Sequence, residues 1–257
     1  MASNLSCIGF SFADNESFVD AMVKLATQAV ETLTTPAGDY GIWRSASGAE
    51  IWFHLARQGD SSEIMGLTPF YEGESTVQVA LTTALRRPED NAFEGAFYAW
   101  VAPDAEGSGA YPLVFDAVDF AAVDAGTFPL KVDVRLTGFA QELQAWPNEA
   151  AYLASNDSED QATLAPEAFI PIGLFAAAEG ASDGDEASAP SSMALLTGRV
   201  VAHRVLTNEE TGDTFHWLLV KSLEASYDIV ADPAVVEGPL GVDAVVRIGG
   251  AFFGRIL

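Results

Sequence analysis

Three polar side chains share one face of a short segment in the first quarter of the chain. Glu50, Trp52 and His54 alternate with apolar residues over positions 50–55, and alternate residues of a strand point to the same side. A carboxylate near an imidazole favours the protonated ring, which a general acid or an anion-binding group requires. We therefore interpret Glu50, Trp52 and His54 as a candidate ligand-binding face.

A pair of adjacent cations gives a second candidate. Arg86 and Arg87 stand at the start of a polar segment that reads as a turn. The planar guanidinium group matches carboxylate and phosphate groups, so this pair is a candidate for binding an anionic ligand. The alternative is that both arginines neutralise the nearby Glu89 and Asp90.

The rest of the sequence offers little material for catalysis. It carries no phosphate loop, dinucleotide fingerprint, nucleophile elbow or zinc-protease motif. There are three histidines and one cysteine, Cys7, so an intrachain disulfide or a thiolate metal cluster is excluded. We predict no catalytic residue, no metal ligand and no cofactor. His216 is expected to be a half-buried, hydrogen-bonded side chain.

The charge balance bears on partners and location. The 257 residues contain 37 acids and 12 Lys or Arg, for a net charge of −25. Such a surface repels phosphate backbones and anionic membranes, so we expect no direct binding to nucleic acid and no membrane association. No apolar run approaches the roughly 20 residues of a membrane helix. The lone cysteine and the early acids favour the cytoplasm of a bacterium.

Several elements must position the candidate face. Residues 5–12 are apolar and aromatic, which predicts a strand. Asp14 or Asn15 then caps a helix whose apolar stripe continues to Leu33. Residues 39–56 predict a β-hairpin that turns near Gly48, and residues 63–71 predict a further strand.

This order of strand, helix and three strands resembles the βαβββ module of the vicinal oxygen chelate superfamily, which includes glyoxalases. The resemblance covers residues 1–71 and implies a curved sheet with a pocket. Members of that family hold a divalent metal with a His, Glu or Gln on the first strand and a Glu on the fourth. Residues 5–12 offer no such ligand, and Glu63 or Glu72 matches the second position, so the implied pocket is metal-free.

The remaining chain predicts more sheet. Alternating segments over residues 76–139 favour antiparallel strands, and residues 179–192 have the composition of a flexible acidic linker. Residues 193–257 predict a small barrel of the oligonucleotide/oligosaccharide-binding (OB-like) kind. The predicted fold is thus α+β, mostly antiparallel sheet with one N-terminal amphipathic helix, in domains 1–178 and 193–257.

These observations favour a non-catalytic binding or interaction protein whose partner is a protein or a small molecule. One alternative is an enzyme or small-molecule binder that uses the glyoxalase-like half, with Glu50, Trp52, His54 and Glu63. Another is an acidic inhibitor that mimics nucleic acid and occupies a basic nucleic-acid-binding protein.

Overall fold

The computed structural model describes residues 3–59, 61–124, 126–155, 164–179 and 190–257. Within these ranges the helices are α1 (Asn15–Gln28), α2 (Glu149–Ser155) and α3 (Ile172–Glu179), with single 3-10 turns at Ser6–Ile8, Phe120–Ala122 and Pro233–Val235. None of the described helices is long and apolar enough to cross a membrane. The strands are β1 (Glu31–Thr35), β2 (Gly38–Arg44), β3 (Ala49–Gln58), β4 (Ser61–Tyr71), β5 (Val77–Leu85), β6 (Ala96–Val101), β7 (Tyr111–Ala117), β8 (Leu130–Trp146), β9 (Ala168–Ile170), β10 (Met193–Thr207), β11 (Thr214–Ser222), β12 (Ala225–Ala231), β13 (Val236–Glu237) and β14 (Val245–Ile256).

The segment expected to form the first strand does not do so. Residues 6–8 form a 3-10 turn, and Gly9 ends the turn with a positive φ of 78°. At the start of this turn, Ser3 and Ser6 each donate the backbone N–H to the side-chain hydroxyl of the other. Its apolar residues therefore anchor the segment by burial without joining a sheet, and the strand that precedes the helix in the βαβββ module is missing.

Helix α1 begins where the sequence indicates. Asp14 accepts a hydrogen bond from the backbone N–H of Ser17, and the Ser17 hydroxyl completes a capping box. The helix ends earlier than expected, at Gln28, because the sequence over residues 31–35 is Glu-Thr-Leu-Thr-Thr. β-branched residues favour extended backbone, so Leu33 belongs to strand β1 and not to the helical stripe.

Strands β1 to β4 form an antiparallel sheet in chain order. The predicted hairpin is present as β2 and β3, and Gly48 supplies a positive φ of 93° at the turn. β4 then pairs with β3 from Tyr71 to Ser61, with a bulge opposite His54 and Leu55. This N-terminal sheet carries the candidate face on its third strand.

The second sheet has ten strands and includes parallel as well as antiparallel pairs. The sheet is therefore mixed: β12 and β13 run parallel to β8, and β7 runs parallel to β14. The cause is the length of β8. One edge of β8 pairs with β14, and its other edge is shared in turn by β5, β12 and β13.

The pairings of the ten-stranded sheet form two closed circuits. One circuit runs β8-β5-β6-β7-β14, and the other runs β8-β12-β11-β10-β14. β8 and β14 belong to both and pair from Trp146 opposite Val245 to Val134 opposite Ile256. Strands of residues 193–257 thus hydrogen-bond directly to strands of residues 77–146.

The division of the chain into folding units at 178 and 193 stays a prediction. Most of the proposed linker, residues 180–189, lies outside the described residues.

Two apolar clusters are buried. The first fills the inside of the ten-stranded sheet and includes Phe97, Leu136 and Phe252. The second lies between the outside of that sheet and the N-terminal sheet with α1, and it includes Trp52, Phe139, Trp217 and Phe253. Adjacent residues such as Phe252 and Phe253 fall in different clusters because successive side chains of a strand point to opposite faces. We call the interface between the N-terminal sheet and the ten-stranded sheet, which holds this second cluster, the seam.

Candidate functional site

An ionic network crosses the seam at Glu72. Its carboxylate lies 2.8 Å from Arg135, 3.4 Å from Arg44 and 3.5 Å from Arg255. Arg44 comes from the N-terminal sheet, and Arg135 and Arg255 come from the paired strands β8 and β14. In a chain of net charge −25, three arginines are concentrated here, and they pair with the acids Glu31, Glu50 and Glu72.

Glu50 belongs to the same network. It is fully buried and accepts a hydrogen bond of 2.7 Å from the indole nitrogen of Trp52 and another from Arg44. Burial raises the pKa of Glu50, while the hydrogen bonds from Trp52 and Arg44 act in the opposite direction. Both carboxylate oxygens of Glu50 are therefore occupied by groups of its own sheet.

A pocket of about 430 Å³ opens beside this network. One wall comes from β1, β2 and β3, and the other comes from residues 119, 122–124 and 130 and the end of β14. Apolar surface comes from Leu33, Ile42 and Leu130, and the charged lining consists of one arginine, Arg255, and three acids, Glu31, Asp119 and Asp124. The Trp52 ring forms part of the wall. We call this space the seam pocket.

Arg255 lies over Trp52 and lines the seam pocket. Its guanidinium carbon lies 5.6 Å from the centre of the Trp52 ring, a cation–π geometry. Its ion pair with Glu72, at 3.5 Å, is long. A guanidinium fork placed in this way can bind a carboxylate through two parallel hydrogen bonds.

Asp119 has the most strongly shifted pKa among the residues that line the seam pocket. Its Oδ2 accepts a hydrogen bond of 3.1 Å from the backbone N–H of Ile256, whereas its Oδ1 has no hydrogen-bond partner among the described residues. Burial raises the pKa of Asp119 to about 7. An unpaired buried oxygen is costly in a folded protein, so this atom is the clearest sign of a missing partner.

His54 lies deep in the seam, and its ring is fully engaged. Asn91 Nδ2 is 3.2 Å from Nδ1, Thr68 Oγ1 is 3.2 Å from Nε2, and the Phe93 ring stacks on the imidazole at 5.3 Å. An amide nitrogen donates, so Nδ1 accepts and Nε2 carries the proton that goes to Thr68. Burial lowers the pKa of His54 to about 4, which makes the ring neutral at pH 7.

The two adjacent arginines lie near His54, but their contacts differ. Arg86 donates to the backbone oxygen of Asn91, the residue whose amide contacts His54. Arg87 forms an ion pair of 2.8 Å with Asp116, and its backbone N–H donates to Asp90. Arg87 also lines a smaller pocket of about 240 Å³, together with Thr68 and Glu94.

The structure thus brings the five predicted site residues to two neighbouring places. Glu50 and Trp52 belong to the ionic network around Glu72, and His54 contacts the segment 86–94, which contains Arg86 and Arg87. Glu63 of the alternative proposal hydrogen-bonds Gln58 on the outer part of the N-terminal sheet. Sequence reasoning missed Asp119 and Arg255. An isolated acid between apolar residues, as in the segment Val118-Asp119-Phe120, was the signal available for Asp119.

The other two histidines meet on the ten-stranded sheet. His203 Nε2 and His216 Nδ1 are 2.9 Å apart, and their rings are inclined by 24° with centroids separated by 5.2 Å. The expectation of a half-buried, hydrogen-bonded His216 is met. Burial lowers the pKa of both rings, with a smaller contribution from His203 at His216.

Comparisons of the chain with protein-family models, curated proteins and solved structures find no match. In the part of the chain that the structure describes, no group of three or more His, Cys, Asp or Glu side chains is arranged to hold a metal ion.

Proposed function

We propose that this chain is a non-catalytic binding protein of the bacterial cytoplasm, and that a small molecule occupies the seam pocket. The observation that carries the proposal is the buried Oδ1 of Asp119, which lacks a partner among the described residues. A concave space that combines apolar surface with a few convergent polar groups and a perturbed carboxyl group is typical of a ligand site.

The pocket walls define the chemistry of the ligand. Leu33, Ile42 and Leu130 suit an apolar body, since burial of apolar surface is favourable by about 25 cal/mol per Å². Arg255 suits an anionic oxygen, and the acids Glu31, Asp119 and Asp124 suit a hydrogen-bond donor or a cationic group. We therefore propose a small amphipathic ligand whose polar end carries both a carboxylate and a donor group.

The engagement of the other reactive groups supports binding over catalysis. In the tautomer with its proton on Nε2, His54 donates to Thr68 and does not take the proton of that hydroxyl. Glu50 is held by Trp52 and Arg44. These side chains therefore hold the walls of the site in place.

The test is a titration with L-leucine and L-phenylalanine, which carry an apolar body, a carboxylate and an ammonium group. We expect saturable binding by calorimetry, with affinity reduced about tenfold or more in Arg255→Gln and in Asp119→Asn, since each loses a charge-assisted hydrogen bond. Arg57→Gln is the matched control, because Arg57 pairs with Asp39 on the N-terminal sheet. Failure of both probes to bind at millimolar concentration would contradict this assignment of the pocket.

An enzyme is the second candidate, because the other tautomer of His54 would let Nε2 accept the proton of Thr68. The Thr68 hydroxyl lies 3.2 Å from His54 and lines the pocket of about 240 Å³ beside Arg87. Turnover of a p-nitrophenyl ester that is lost in Thr68→Val, an exchange of similar size, would support this candidate. We expect no turnover above the buffer rate.

The OB-like character of residues 193–257 and the capture of a basic protein through acidic mimicry stay predictions. A pull-down that responds to salt concentration tests the second of these, since charge attraction weakens with ionic strength.

A further inference from the structure

A second site is independent of the seam pocket. We propose that His203 and His216 form a two-histidine chelate for a divalent transition-metal ion, Ni²⁺ or Cu²⁺, at the surface of the ten-stranded sheet. The observation is the facing pair of imidazole nitrogens, 2.9 Å apart.

The spacing fits a chelate. Imidazole nitrogens bind such ions at about 2.0–2.1 Å, and two nitrogens at that distance on one ion are about 3.0 Å apart when the angle at the metal is about 90°. That angle is the one found in square-planar and octahedral coordination, which Ni²⁺ and Cu²⁺ adopt with nitrogen and oxygen ligands. The observed 2.9 Å separation is close to this value. A tetrahedral Zn²⁺ site needs a wider separation.

The two histidines lie on two strands that pair with each other, β10 and β11. In the antiparallel pairing of β10 with β11, His203 lies opposite Leu218, and Val205 lies opposite His216. The two histidines are therefore diagonal neighbours across one strand pair. This arrangement limits the adjustment to rotation of the rings about their second side-chain torsions, which are soft in histidine. This rotation allows the lone pairs of His203 Nε2 and His216 Nδ1 to point at one metal ion.

The site is open to water on one side. Both histidines are half-buried, and Val205 next to them is 57% exposed. Water molecules can therefore complete the coordination shell, which two protein ligands leave open. The proton now held between the two nitrogens moves to the other nitrogen of its own ring, so two neutral imidazoles bind the ion.

The remaining histidine does not compete for the ion. His54 is 1% exposed and has contacts on both ring nitrogens. The chain has three histidines in total, so His203 and His216 are the imidazoles that an added ion can reach. Removal of either one leaves a single accessible imidazole.

The test is calorimetric titration of the untagged full chain with NiCl₂, with CaCl₂ as a measure of general attraction to the acidic surface. We expect one Ni²⁺ site in the wild type and an affinity at least about tenfold lower in His203→Asn and in His216→Asn, because each variant loses one of two ligands. Arg204→Gln on the same strand is the matched control and is expected to bind Ni²⁺ like the wild type.

A second measurement separates loss of the site from loss of fold. Cu²⁺ bound to the wild type is expected to show electron-paramagnetic-resonance coupling to two imidazole nitrogens, and His203→Asn to show coupling to one. Circular dichroism confirms that each variant is folded. Unchanged Ni²⁺ affinity in a folded double variant, His203→Asn with His216→Asn, or no Ni²⁺ binding by the folded wild type, would overturn the proposal.

Discussion

Trp217 donates its indole N–H to the carboxylate of Asp228 across 2.7 Å, inside the seam. The same carboxylate accepts the backbone N–H groups of Glu74 and Ser75, at 3.0 and 2.8 Å, and the hydroxyl of Ser75. Asp228 therefore fixes the segment that leaves the N-terminal sheet and enters the ten-stranded sheet. Three of its four hydrogen bonds come from that segment, so Asp228 joins the connection between the two sheets to strand β12.

Replacement of Asp228 by Asn is expected to destabilise the fold by about 3 kcal/mol, since a buried amide cannot accept every bond and leaves donors unsatisfied. The measurement is urea unfolding followed by tryptophan fluorescence. Asp243→Asn is the matched control, because Asp243 is exposed and pairs with Arg199 at 3.2 Å, and we expect less than about 0.5 kcal/mol there. Equal effects of the two exchanges would disprove the role given to Asp228.

Gly73 lies against the same carboxylate. A Cβ atom at this position would be 2.0 Å from Asp228 Cγ, a distance that atoms in proteins do not reach. Gly73→Ala is therefore expected to destabilise the protein by about 3 kcal/mol or more, through displacement of Asp228. Gly241→Ala serves as the control, because a Cβ there meets nothing within 4 Å. Thermal unfolding of both variants decides the point, and a Gly73→Ala protein as stable as Gly241→Ala would refute it.

Asp119 is expected to make stability depend on pH. Its pKa rises from 3.8 to about 7 on folding because of burial, so the folded state holds a proton that the unfolded state releases. The stability that this group contributes is complete below pH 3.8 and is lost as the pH rises through about 7. The full loss is on the order of 4 kcal/mol.

The comparison of wild type with Asp119→Asn isolates this effect. The amide keeps an oxygen for the backbone N–H of Ile256 and does not titrate. We expect the difference in unfolding free energy between the two proteins to shift in favour of the Asp119→Asn variant between pH 5 and pH 8, as measured in urea. A difference that is constant over this range would show that Asp119 titrates normally.

His54 is expected to give stability a pH dependence of the opposite sign. Burial lowers its pKa from 6.5 to about 4, so the unfolded chain takes up a proton first when the pH falls. The stability that neutral His54 contributes is present above pH 6.5 and is lost as the pH falls toward 4. Side-chain NMR of the imidazole checks this directly. A ring that titrates near pH 6.5 in the folded protein would contradict its burial.

Local sequence patterns predicted part of this architecture. The hairpin of β2 and β3 follows from strict alternation and from Gly48, and the start of α1 follows from Asp14. Residues 5–12 have the composition of a strand but form a turn, because their apolar side chains are buried in the seam without pairing. Burial by tertiary contacts outweighs local preference there.

The site itself could be predicted only in part. Glu50, Trp52 and His54 stand out because they share one strand face. Asp119 and Arg255 are more than a hundred positions apart, and they meet only because β14 returns to the side of β8. Pairing between distant strands is set by the whole fold, and a single sequence carries no local signal for it.

The sharing of β8 and β14 by both strand circuits bears on how the protein is made. Neither circuit can close until β14 has left the ribosome, since β14 partners β7, β8 and β10. During synthesis the strands that precede β14 therefore have unpaired edges, and unpaired strand edges favour aggregation. Displacement of β14 would open both circuits at once and leave an edge of β7, β8 and β10 unpaired.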